Sequence, residues 1–170
     1  MMNEAIAQLE SGKFDKICFI RNTINARDTG ESIGALPGEL TAKLLPWMMP
    51  FADHLGSVET LLHQIEIGAI EPIHVAFLRG RDLRRSLIYC TESQNFTIEQ
   101  IKLLVGRIGE GSQLWLDGDF KAQVDKAAFE KNNNGLGHLV ERLKGNKLFS
   151  IVDLQKSERS AASALCDLLD

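Results

Sequence analysis

Two places in this sequence put acidic and amide side chains directly after a short apolar run. The first is Leu87-Ile88-Tyr89-Cys90-Thr91-Glu92-Ser93-Gln94-Asn95, which reads as a strand entering a turn, with a helix start at Thr97. The second is the strand Gln113 to Leu116, ending at Asp117-Gly118-Asp119. Carboxylates and amides at the mouth of a sheet can orient a water, accept its proton and hold a hydrated cation. Those are the tasks of phosphoryl transfer to water. Each run also has a plain reading, the first as a helix-capping turn and the second as an ordinary acidic turn. Two acidic strand ends from neighbouring strands raise the case for a shared site.

The elements that must position these residues follow from periodicity. Asn3 to Gly12, Glu39 to about Leu55, Ser57 to Ile67, Thr97 to Ile108, Leu136 to Leu143 and Glu158 to Leu169 carry helical spacing. Pro46 and Pro50 kink or break the second of these. Thr97 with Gln100 predicts a capping box. Lys16 to Ile20, Ile70 to Phe77, Ser86 to Cys90, Gln113 to Leu116 and Leu148 to Leu154 read as strands. Asn22 to Gly38 reads as a long, polar connection. Alternating helices and strands predict an α/β fold, a largely parallel sheet covered on both faces. Ligands then sit beyond the carboxyl ends of the strands, where Arg21, Arg79, Thr91-Glu92, Asp117 to Asp119 and Ser157 to Arg159 collect.

Composition sets the bounds. The 170 residues suffice for one ordinary domain, and 44% hydrophobic with 25% charged residues is the balance of a soluble globular chain. No run approaches the length of a membrane span, and the N-terminus is not a secretory signal. The expected location is cytoplasmic. Cys18, Cys90 and Cys166 read as reduced core residues, and no histidine spacing suggests zinc. The net charge of -4 argues against a generally basic nucleic-acid coat. Arg79, Arg81, Arg84 and Arg85 nevertheless form a short basic run, either a local patch or a solvated face. Gly106-Arg107-Ile108-Gly109-Glu110-Gly111 ends a helix and is not a phosphate loop.

Several ordered segments together resemble the PhoH-like ATPases, most closely their phage-type members. They are Ile33 to Leu40 with Lys43 and Pro46-Trp47; Phe77-Leu78-Arg79-Gly80-Arg81; Leu87 to Asn95 with Thr97, Glu99 and Gln100; Arg107-Ile108-Gly109; Gly118-Asp119 with Gln123 and Asp125; Gly135-Leu136; and Glu158-Arg159-Ser160. The resemblance covers nearly the whole chain. It implies a P-loop NTPase fold like a helicase core, with ATP and magnesium as cofactors and RNA or single-stranded nucleic acid as a partner. Glu92 would match the base that orients water and Gln94 the amide near the γ-phosphate. Asp119 and Gln123 would match the phosphate sensor, and Arg159 a charge-stabilising arginine. Thr91, Arg79 and Arg81 would contact the cofactor, with Thr91 and Glu92 nearest the magnesium.

Two departures matter. Thr91 stands where that family usually has the aspartate that holds magnesium. The sequence also contains no Gly-x-x-x-x-Gly-Lys-Ser/Thr run, and the resemblance places that loop and its strand upstream of Met1. The expectation is a single ATPase-core domain over residues 1–170, truncated at its front. Its strand edges would then be completed by a partner chain carrying the phosphate loop, by closure of the sheet, or by self-association. The alternative is an inactive module that binds nucleic acid or protein.

Overall fold

The computed structural model describes residues 1–21, 40–119 and 133–154. Its elements are α1 (Met2–Glu10), β1 (Lys16–Arg21), α2 (Leu40–Leu55), α3 (Val58–Glu66), β2 (Ile70–His74), β3 (Ser86–Thr91), α4 (Ile98–Val105), β4 (Gln113–Leu116) and α5 (Gly135–Leu143). The chain divides into two compact units, Met1–Leu139 and Val140–Asp170. The four strands form one all-parallel sheet in the order β2-β1-β3-β4. This is the expected α/β architecture, a parallel sheet flanked by helices. No helix among the described residues is long and apolar enough to cross a membrane.

The core explains why these residues fold this way. Alternate residues of a strand face opposite sides. Ile17 and Phe19 of β1 pair in register with Leu87 and Tyr89 of β3. They join Ala5, Phe14, Met48, Phe51, Ala52 and Leu61 in one buried cluster. Phe19, Phe51 and Tyr89 meet edge to face, with centroids 5.0, 5.9 and 6.0 Å apart. Cys18, Ile20, Ile88 and Cys90 are equally buried and point the other way. Cys18 and Cys90 are free thiols, as expected, and burial pushes Cys90 up to about 12. Cys166 lies outside the described residues.

α2 runs through both Pro46 and Pro50 without a break. Each proline removes one backbone donor, and burial of Leu44, Met48, Phe51 and Ala52 holds the helix against the core. Pro72 is tolerated because β2 lies at the edge of the sheet.

Three expected elements need correction. The strand expected over Ile70 to Phe77 stops at His74, and Val75–Leu78 is a 3-10 turn. The His74 imidazole accepts the Ala76 N–H at 3.2 Å, and burial lowers its pKa, which keeps that acceptor neutral. The helix after Thr97 ends at Val105, where Gly106 caps it. Leu148 to Leu154 forms no strand. Leu148, Val152 and Leu154 are 99%, 83% and 85% exposed. A β-prone run becomes a strand only when a neighbour takes up its backbone groups. The helix expected over Glu158 to Leu169 and the connection Asn22 to Gly38 lie outside the described residues.

The arginine run is met by acids near the amino ends of the strands. Arg81 and Lys16 both bond the Glu71 carboxylate, at 2.6 and 2.5 Å. Arg85 makes two bonds to Asp15, and Arg84 bonds Asp82. Burial alone would raise the Glu71 carboxyl, but the bonds from Arg81 and Lys16 outweigh it and the pKa lies below 4.5. A lowered folded-state pKa contributes stability above the unfolded value and loses it as pH falls through the folded one. The chain is therefore expected to lose stability below about pH 4.5, and Glu71→Gln to flatten that part of a plot of melting temperature against pH. An unchanged slope in the variant would remove Glu71 as its source.

Candidate active site

The site forms where β3 and β4 end side by side. Leu116 pairs with Cys90, so the next residues, Asp117 and Thr91, face each other across the two strands. The Thr91 hydroxyl donates to Asp117 Oδ1 at 2.8 Å, and the Glu92 N–H donates to the same oxygen at 3.1 Å. The Tyr89 hydroxyl donates to Asp117 Oδ2 at 2.5 Å. Burial and this bond both raise the Tyr89 pKa, so it remains a phenol donor. The backbone carbonyl of Asp117 accepts the Ser93 N–H at 2.8 Å. One aspartate thus ties the aromatic core, the end of β3 and the following turn together.

That turn is unusual at Glu92, which is left-handed at φ 54° and ψ 41°. A non-glycine residue there costs about 1–3 kcal/mol, offset here by the bonds to Asp117 and by a 3-10 turn over Ser93–Asn95. The left-handed step turns the chain sharply at the carboxyl end of β3. The Glu92 carboxylate accepts from Gln94 Nε2 at 2.7 Å. Gln94 is only 1% exposed, and its Oε1 has no hydrogen-bond partner among the described residues. A Cβ on Gly118 would lie 2.5 Å from that oxygen. Glycine at 118 is what lets the β4 turn approach the Gln94 amide.

The turn is braced from behind. Thr97 and Gln100 form the expected capping box at the start of α4. Asn134 Nδ2 donates to the Gln94 carbonyl at 2.9 Å, and Gly135 N–H donates to the Phe96 carbonyl at 2.7 Å. A Cβ on Gly135 would meet Thr97 O and Ile101 Cγ1 at 2.5 Å, so only glycine fits where α5 begins.

Of the residues singled out from sequence, Thr91, Glu92 and Gln94 come together here. Asp119 follows two residues after Asp117 on the same turn and is part-buried. Arg79 is exposed and ends the 3-10 turn after β2. Arg81 lies on Glu71, toward the amino end of the sheet. Gln123 and Arg159 lie outside the described residues. Sequence reasoning placed Asp117 at the strand ends without giving it a role, and missed Tyr89 and Asn134 as site residues. The signal for Asp117 was available, since it follows Leu116 as Thr91 follows Cys90.

The PhoH-like protein family model matches residues 1–166. The chain belongs to the PhoH-like family. Protein PhoH2 of Bacillus subtilis (strain 168) is 39% identical over 150 residues, covering 82% of this chain and 33% of that protein. A PhoH-like protein of the same organism is 34% identical over 158 residues, 91% of this chain and 48% of its own length. Protein PhoH2 of Mycolicibacterium smegmatis is 33% identical over 139 residues, 80% of this chain and 31% of its own. The PhoH-like chain thus spans between about a third and a half of these relatives.

Proposed function

We propose that this PhoH-like chain carries the water-activating half of an ATP-hydrolysing site. The observation that supports this most is the strained Glu92, held left-handed and bonded to a buried Gln94 whose Oε1 has no partner among the described residues. A buried acceptor without a donor costs about 1–3 kcal/mol. Strain and an orphaned polar atom together mark a place where a ligand or water completes the structure.

In this reading Glu92 accepts the proton of the attacking water and Gln94 holds that water in line through Oε1. Asp119, Gln123 and Arg159 keep the roles that the family resemblance implies. Magnesium, bound with the nucleotide, supplies charge neutralisation at the phosphate oxygens. The residues fit such an ion: oxygen donors stand at the strand ends. Among the described residues no group of three or more His, Cys, Asp or Glu forms a closed metal cage. Magnesium usually takes only one or two protein oxygens beside phosphates and water.

The phosphates themselves need a cradle of backbone N–H groups and a lysine. The 170 residues contain no sequence of that kind, so hydrolysis in this reading requires a phosphate-loop segment, from the same or another polypeptide. Gln94→Ala, made in the chain joined to such a segment, is expected to slow phosphate release from ATP by about tenfold or more. An unchanged rate would separate Gln94 from the chemistry. The paired state of Arg81, Arg84 and Arg85 gives the nucleic-acid-binding alternative no added support.

A further inference from the structure

We propose that Asp117 supplies the negative charge that Thr91 lacks, and that the Thr91 hydroxyl and Asp117 carboxylate together form the divalent-cation position of this site. The proposal rests on the ATP-hydrolysis reading for its purpose, but its geometry stands by itself. Thr91 donates its only hydroxyl proton to Asp117 Oδ1. Both lone pairs of Thr91 Oγ1 are thereby left for a cation, and the bond to a carboxylate makes that oxygen a stronger donor. Asp117 accepts three bonds, from Tyr89, Thr91 and the Glu92 N–H. A carboxylate has about four acceptor positions, which leaves one for a cation or its hydration shell.

The charge count favours the same assignment. With threonine at 91, the end of β3 carries only the Glu92 carboxylate. Asp117, facing it from β4, restores a second negative charge within one strand spacing, about 4.8 Å. A separate feature lies beside the next residue of the chain after Asp117. Gln94 Oε1, without a partner among the described residues, faces Gly118, the neighbour of Asp117.

The test uses Mn2+ alone as the probe, read by its electron paramagnetic resonance signal in titrations of the full chain. Wild type is expected to bind Mn2+. Asp117→Asn is expected to weaken binding by about 10- to 100-fold. The exchange variant, Thr91→Asp with Asp117→Thr, is expected to recover most of it, because charge and hydroxyl have only traded strands. Thermal melts confirm that each variant is folded. Equal Mn2+ affinity in wild type and Asp117→Asn, an exchange variant no better than Asp117→Asn, or no Mn2+ binding by wild type would each overturn the proposal. The hydrolysis reading fails separately: Mn2+ binding as expected, with ATP turnover unaffected by Glu92→Gln, would leave the cation position standing without that role.

Discussion

Glu92→Gln is expected to slow ATP hydrolysis by about 10²- to 10⁴-fold, the contribution of a positioned general base. The comparison is made in the chain joined to a phosphate-loop segment. The substitution keeps the side chain's size and shape. An amide oxygen at position 92 can still accept from Gln94 Nε2, and the backbone bond from residue 92 to Asp117 is untouched. What is lost is basicity. The variant should therefore fold and hold nucleotide about as well as wild type while losing turnover, a change in kcat rather than in KM. Single-turnover phosphate release measures the rate, and nucleotide titration checks binding. Full turnover in the variant would remove Glu92 as the base.

Phe51→Ala is expected to destabilise the fold by about 3–5 kcal/mol, the usual cost of emptying a large aromatic site in a core. Phe51 is fully buried and meets both Phe19 and Tyr89. Its loss would remove the packing that holds α2 on the sheet. It would also loosen the ring whose hydroxyl anchors Asp117. Against a typical total stability of about 5–15 kcal/mol, such a loss should be plain in a urea melt. A midpoint shift equivalent to less than about 1 kcal/mol would mean that the aromatic cluster contributes little.

The local devices of this fold were readable in the sequence. The Thr97–Gln100 capping box is made within one helical turn. The strand over Ser86 to Cys90 announces itself as a continuous apolar run, because a central parallel strand is buried on both faces. Pairings across the chain were not readable. Asp117 acquires its role only when β4 lies beside β3, 26 residues away from Thr91 in sequence. Arg85 looked like part of a basic patch because its partner, Asp15, is 70 positions away. Leu148 to Leu154 has strand composition, but propensity says nothing about whether a neighbour pairs with it. The left-handed Glu92 was also hidden, since glutamate is not a residue that signals positive φ.

These residues are proposed to carry the hydrolytic half of an ATP site. Magnesium-dependent phosphate release from ATP, measured for the chain alone and for the chain joined to a strand with a Gly-x-x-x-x-Gly-Lys-Ser/Thr loop, tests it most directly. Release near background is expected for the chain alone, and sustained turnover once the loop is supplied. Turnover by the chain alone at the same rate, or no turnover in a folded, nucleotide-binding joined protein, would contradict it.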